Sequence, residues 1–577
     1  MKYPKLREIP TAREMIDVFR GYNHNLRIAD GEFYDMKNLS SDHYPVLSTR
    51  QRRGIYATTD TPQGMIAKNA LCYVDGEDFV IDGERIPMGL TRDDAPKQLV
   101  SMGAYVIIMP DKKYINTINY EDRGDIEETV KKYGPTYTLC QKDGSPYENL
   151  HIGATAPENP EENAYWLNTA ESPPVLKYFL GDHRWGTVVT TYVKIFCEGI
   201  GLSFYTGDRI EIFGIESELK HLNSITTVIA RDDNYIIIPA ILQYESFGDP
   251  EPICITKRMP KTDFIIESGN RLWGCRYGTA INGEMVNEIY ASKLGDFKNW
   301  GCFSGTSTDS YVAGVGTDGP FTGAVTFKGM PLFLKENAIH TVYGDYPANF
   351  HIQTTPCRGV QRGCEKSLAI VNEVLYYKAR AGICAYDGSL PVEVSAALGD
   401  IVYKNAVAGA LANMYYVSMQ DESEQWHLFS FDTRKNLWYK DDDTQAVDFC
   451  SFLGDLYFID YADKQIKTIR GTGIADQTPI RWYAITGILG TDSPDKKYIS
   501  RIDVRMSLEI GSRVTFFVEY DSSGEWKHLF SMDGVKLQSF PIPIRAQRCD
   551  HLRLKVVGTG GAKIFSICKT IEQGSDA

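Results

Sequence analysis

The sequence predicts an all-β protein: a β-propeller with an inserted β-domain and a C-terminal β-sandwich. Three observations lead there. Strand–turn–strand phrases recur at a spacing of about 40–50 residues, the size of one four-stranded blade. The chain holds 35 Tyr, 25 Phe and 50 Gly, a mixture that favours strands joined by tight turns. The strand pattern also changes character twice, beyond residue 125 and beyond residue 477, so more than one β-architecture is present. A length of 577 residues fits this, being too long for one core and suggesting two to four domains.

Residues 1–53 read as an irregular lead-in, with a Gly-Glu-Phe turn, a Tyr-Pro break and the basic cluster Arg50, Arg52 and Arg53. Residues 54–124 supply the first propeller blades. There RGIYAT, ALCYVDGEDFVIDGERI and QLVSMGAYVIIMP are rich in β-branched and aromatic residues, and Asp75-Gly76 and Asp82-Gly83 are hairpin signals. Residues 125–250 read as an inserted β-domain. Its first stretch is charged, and 126–133 has the composition of a short helix stopped by Gly134-Pro135. A Pro-rich turn region follows, with Trp166 and Trp185 as anchors, and then further strands.

Residues 251–476 carry the remaining blades. The clearest is RLWGCRYGTAINGEMVNEIYASKLGDFKNW (271–300), two strands, a polar turn and a Trp. Trp300 is placed to fold back on the pair and seal it against a neighbour. The period implies six or seven blades. Residues 477–577 hold five or more longer alternating strands and read as the sandwich.

Charge and motifs exclude several classes. A net charge of −14 does not suit gripping a nucleic-acid backbone, which needs Lys and Arg to displace counterions. It does suit a wall past which a polyanion slides. There is no run of about 18 apolar residues, so no membrane span is expected. The first residues lack the apolar core of a signal peptide, which points to folding in a cytoplasm. The twelve cysteines contain no C-x-x-C pair and read as buried thiols. No Walker loop, G-x-S-x-G or H-E-x-x-H occurs, and no cofactor is expected. Asp441, Asp442 and Asp443 lack the spacing of a calcium loop and read as a solvated turn. The phrase Tyr520 to Trp526, YDSSGEW, is faintly like the Asp-box of sialidase propellers. It occurs once, in the sandwich, and reads as a hairpin with an aromatic cap.

Several phrases carry a resemblance. IYASKLGDFKNW (289–300) resembles a blade phrase of tailed-phage structural propellers. GMPLFLKENAIHTVYG (329–344) and CRGVQRGCEKSLAIVNEVLYYKARAGICAYDG (357–388) look like the next blades of the same group. APENPEENAYWLNTAESPPVLKYF (156–179) is similar to a Pro-and-Trp motif of phage tail proteins. The sandwich stands where it does in tail hub or nozzle proteins of short-tailed phages, the packaged-DNA stabilisation type. The resemblance covers 250–577 well and 1–250 more weakly.

It implies a structural virion protein in the phage tail, assembled in the host cytoplasm and without enzymatic activity. Subunits would form a homohexameric ring that extends the portal channel, retains packaged DNA and conducts it during ejection. Partners would be the portal or adaptor ring, tail fibres, and a tail needle or tip. Genomic DNA would pass through the lumen without sequence-specific binding. Arg50, Arg52, Arg53, Trp166 and Trp185 are the expected partner-docking residues. Two other classes stay open: a tail-tip propeller that binds a receptor or glycan through exposed aromatics, and a glycoside hydrolase.

Overall fold

A computed structural model describes residues 11–573 apart from 94, 281–282, 472–478, 491–495, 535 and 545–546. The boundary expected between 476 and 477 lies outside the described residues. Among those residues the regular structure is strand, with five short 3-10 turns and no α-helix. The chain divides into two compact units. One takes in the residues up to Leu99, Phe333–Ile339 and everything from Thr355 onward; the other holds Val100–Leu332 and His340–Thr354.

The fold is an all-β propeller with additions. Among the described residues outside the insertion, six four-stranded sheets run strand next to strand in chain order, as blades do, and a seventh takes its fourth strand from Gly54–Thr58. They lie within 62–87, 98–125, 264–314, 323–356, 369–393, 404–442, and 446–468 with 54–58. The turns are made as the local sequence demands. Asp82 and Gly83 both have positive φ, 49° and 81°, the conformation of a two-residue hairpin whose twist matches its strands.

The seventh blade is completed by a strand from the other end of the chain. Gly54–Thr58 pairs antiparallel with Gln465–Thr468, with Thr58 opposite Gln465 and Gly54 opposite Thr468. This blade then packs on the first: Tyr457, Ile459 and Ile466 share a core with Met65, Leu71, Tyr73 and Val80. The Met65 N–H also donates to Asp448 Oδ2 at 3.1 Å. On its other side, Phe449, Leu456 and Phe458 pack on Leu411, Tyr416 and Leu428 of the sixth blade.

Residues 11–49 are not an irregular lead-in. Thr11–Ile16 and Leu47–Thr49 pair with Ala562–Gln573, and Glu32–Lys37 pairs with Arg481–Thr486. The sandwich is therefore two six-stranded sheets, each built from both chain ends. Its strands show the expected alternation; Leu552–Thr559 buries every second residue. The N-terminal strands are short and polar, and become strands only when a partner some 450 to 550 residues away completes the ladder. That is why local pattern missed them.

The same N-terminal segment is fixed to the sixth blade. The Asn38 N–H donates to Asp441 O at 2.7 Å, and Ser41 Oγ donates to Asp432 Oδ2 at 2.7 Å. A Cβ on Gly21 would stand 2.3 Å from Trp438 O, so only glycine allows this approach.

In the second unit, the insertion begins with Thr129–Lys132 and ends with Ile253–Thr256, which pair antiparallel to close its base. It thus reaches beyond 250. The expected helix at 126–133 is absent: Val130 lies opposite Ile255 and packs on the inserted core, so the segment is a strand. Two sheets enclose that core, which includes Tyr137, Ile195, Ile212, Ile236 and Ile255. A third sheet, from Leu150 to Thr187, carries Trp166 and Trp185.

Candidate functional site

The inserted domain and the third blade meet, inside the second unit, around the loop 293–310. Asp208 is fully buried there. Its Oδ1 accepts from Asn299 Nδ2 at 2.7 Å, its Oδ2 accepts the Tyr205 N–H at 2.9 Å, and Lys257 Nζ lies 3.7 Å away. A buried carboxylate is tolerable only with such partners. The Arg209 N–H donates to Gly301 O at 2.8 Å, and a Cβ on Gly301 would stand 2.6 Å from Arg209 Cβ. Glycine at 301 is what lets the inserted strand come so close.

Trp300 seals the second and third blades, as its sequence position suggested. It packs with Met102, Ile107, Tyr114, Leu272 and Phe297, and its Nε1 donates to Phe297 O at 2.8 Å. Next to it opens a groove of about 380 Å³. Arg209, Glu211 and Ile225 line it from the inserted domain, and Arg258 to Pro260 from that domain's exit. Glu288, Tyr290, Trp300, Phe303 and Val312 line it from the blade.

Glu288 and Tyr290 stand two apart on Met285–Ala291 and so share a face. Tyr290 Oη donates to Glu288 Oε2 at 2.5 Å. Burial, and then the bond to Glu288, push the Tyr290 phenol above its ordinary range, so it stays protonated and keeps donating. Across the groove, Arg258 donates to Glu211, with Glu127 3.6 Å from its Nη1. Phe303 (49% exposed), Ile225 and Val312 leave apolar surface open beside these charges. An apolar shelf flanked by carboxylates and guanidinium groups suits a ligand with flat apolar faces and many hydroxyls, the chemistry of a sugar chain. No motif announces these residues. They come from the strands Arg209–Phe213, Ile225–Thr227, Met285–Ala291 and Tyr311–Gly314 and from the segments around Arg258 and Trp300.

The five expected docking residues fare differently. Arg50 and Arg53 are buried, not docking residues. Arg53 Nη1 lies 2.7 Å from Asp442 Oδ2 and its Nη2 3.8 Å from Asp441 Oδ2, while Arg50 Nη2 lies 3.5 Å from Asp442 Oδ2. They sit among carboxylates of the sixth blade because two guanidinium groups and two carboxylates neutralise one another out of water. Asp441 and Asp442 are accordingly part of a buried ion cluster and not a solvated turn; Asp443 pairs with Lys37. Burial pushes the Asp441 carboxyl up to about 6. Burial pushes Asp442 the same way, but Arg53 and Arg50 outweigh it and hold that carboxyl at about 2. Arg52 is exposed.

Trp166 is buried, donates from Nε1 to Gly153 O at 2.9 Å, and is covered by Lys177 Nζ at 5.0 Å from its ring. Trp185 meets it edge-on at 5.6 Å between centroids and stays half-buried. So Arg52 and Trp185 remain reachable by a partner. Trp438 is core, and Trp526 is half-buried with Lys555 Nζ 5.5 Å from its ring. Nine of the twelve cysteines are buried.

No known family matches the chain, and no curated protein does. Solved structures do. PorZ, a bacterial surface component of the type-IX secretion system of Porphyromonas gingivalis, is 11% identical, covers 90% of this chain and 82% of its own, with a TM-score of 0.25. The endosialidase of phage phi92 is 10% identical over 75% of this chain and 68% of its own, TM-score 0.22. A family 43 arabinoxylan arabinofuranohydrolase from Bacillus subtilis is 7% identical over 52% of this chain and 94% of its own, TM-score 0.21. The expectation that the chain is not an enzyme is corrected here: the similar structures include a glycoside hydrolase and an endosialidase, and a propeller fold by itself neither names nor excludes an activity.

Proposed function

We propose that the chain is a tailed-phage virion protein of the tail hub or nozzle kind, a subunit of a homohexameric ring that extends the portal channel and passes DNA. The observation that carries this is the double closure by the chain ends. Gly54–Thr58 clasps the last blade, and residues 11–49 supply five of the sandwich's twelve strands. Opening either would break strand ladders and the buried Arg53–Asp442 pair together, which suits a body that must hold shape against packed DNA. The charge of −14 suits a lumen to which DNA does not adhere. The phrases at 289–300 and 357–388 resemble that group. Arg52 and Trp185 are the docking residues that fit, for a portal or adaptor ring, tail fibres or a tail needle. Electron microscopy of the purified protein, classified by rotational symmetry, is the test. A six-fold ring with an opening wide enough for duplex DNA supports the reading; a monomer or a pointed trimer removes it.

A second reading is favoured by one observation, the groove at Glu211, Arg258, Glu288 and Phe303. A tail-associated propeller that binds a host-surface glycan would use such a shelf. A glycan array with the wild-type protein distinguishes it: binding to defined sugars supports it, and uniform silence removes it.

A further inference from the structure

The sandwich carries a second constellation, far in sequence from the groove. The hairpin between Arg513–Tyr520 and Lys527–Asp533 turns through Asp521 and Ser522, both left-handed at φ 52° and 49°. Non-glycine residues avoid that conformation unless their surroundings hold them there. Here Asp521 does the holding. Its Oδ1 accepts the Asp550 N–H at 2.7 Å and the His551 N–H at 3.3 Å, and its own N–H donates to His551 O at 3.0 Å. The turn and the segment 549–551 are thus pinned together.

The side chains this brings together form a line. Ser522 Oγ lies 2.8 Å from His551 Nε2, and His551 Nδ1 lies 2.9 Å from Asp550 Oδ2. The bond from His551 holds the Asp550 carboxyl below its ordinary range, so it is an anion and can only accept. The Nδ1 must then carry the proton. In the neutral imidazole this leaves the Nε2 lone pair facing the Ser522 hydroxyl, the tautomer a general base needs. Ser522 itself is exposed.

We propose that Ser522, His551 and Asp550 form a nucleophilic triad that cleaves small, accessible carboxylic esters. The setting is open and charged, with Asp521, Glu525 and Asp550 exposed around the serine, so it favours a short acyl group over a long apolar one. Ser522 Oγ bonds to the ester carbonyl carbon as its proton passes to His551 Nε2. The C–O bond to the alcohol then breaks and His551 returns that proton to the leaving oxygen. Water repeats the two transfers, releasing the carboxylic acid and restoring Ser522. Asp550 and Asp521 are positioning residues: one orients the imidazole, the other fixes the turn. The N–H groups of Ser523 and Gly524 are committed to Tyr520 O and Glu519 Oε1. They give the oxyanion little, so turnover is slow and covalent capture of the serine is the sensitive readout.

The test treats the full chain with a fluorophosphonate probe and follows the adduct by intact mass and peptide mapping. A single adduct on Ser522 is expected, lost in S522A and formed roughly a hundred-fold more slowly in H551Q. D550N is expected to slow capture while leaving the thermal melt in place, which a purely structural role would not do. S523A is expected to label as the wild type does. No adduct on the wild type, an adduct elsewhere, or equal labelling of S522A and wild type each overturns the proposal. Release of alcohol from an aryl acetate, tested on the same variants, must follow the same order.

Discussion

The Asp208 carboxylate and the Asn299 amide, 2.7 Å apart and both buried, tie the inserted domain to the third blade. The anchor lies beside the groove, so the same contact fixes the groove's two walls. Replacing Asp208 by Ala leaves Asn299 and Lys257 facing an empty, water-poor site. A loss of about 3–5 kcal/mol is expected, as when one partner of a buried charged pair is removed. Chemical denaturation of the variant reads it, and a loss under about 1 kcal/mol would mean that the anchor is weaker than its burial implies.

Asp441 and Asp442 respond to pH with opposite signs. The Asp441 folded value, about 6, lies above the ordinary 3.8. Its contribution to stability is complete below about pH 4 and is lost as pH rises through about 6. The Asp442 folded value, about 2, lies below 3.8, so its contribution is present above about pH 4 and is lost as pH falls through about 2. D441N keeps an oxygen for the Ser430 hydroxyl and should flatten the stability curve between pH 4 and 6. D442N should cost about 3–5 kcal/mol at pH 7, because it strips the guanidinium groups of their nearest counter-charge. Urea unfolding at a series of pH values distinguishes the two; identical profiles would refute the assignment.

Trp300 and Phe303 lie in one loop and should separate stability from recognition. Trp300→Ala empties the seal between two blades and should cost about 3–5 kcal/mol. Phe303→Ala removes an exposed ring and should leave the melt within about 0.5 kcal/mol of wild type. If the groove holds a glycan, the same change should weaken binding about three- to ten-fold through lost stacking. An unaltered glycan affinity in Phe303→Ala would place the ligand elsewhere.

A chain beginning after Thr58 would lose the clasp of the seventh blade and the N-terminal strands of the sandwich. Gln465–Thr468 would become an open edge, and Ala562–Gln573 would lose the partners along one side. Aggregation, or a broad transition in place of a cooperative one, is expected in a thermal melt. A sharp wild-type melt would show that the ends add little.

The blades were legible because their signals are local. A Gly at a turn, alternating apolar residues and a Trp after a polar turn act over a few residues, and Asp82-Gly83 and Trp300 stand where such reasoning puts them. Local reading failed where the deciding partner is remote. The segment 126–133 has helical composition, yet pairing of Val130 with Ile255 makes a strand. Arg50 and Arg53 read as docking residues of a basic cluster, yet Asp441 and Asp442, about 390 residues on, draw them inside. Trp166 and Trp185 read as anchors of a Pro-rich turn region, yet both lie on strands of one sheet and meet edge-on.

The sequence by itself determined the all-β class, the blade period and the turn positions, since strand periodicity and turn chemistry are properties of neighbouring residues. Tertiary structure alone decided that the chain ends share one sandwich, that Arg53 is buried, that Glu211 and Tyr290 line one groove, and that Ser522 faces His551. Those are matters of which distant strands pair and in what register, and a β-ladder draws its partner from anywhere in the chain.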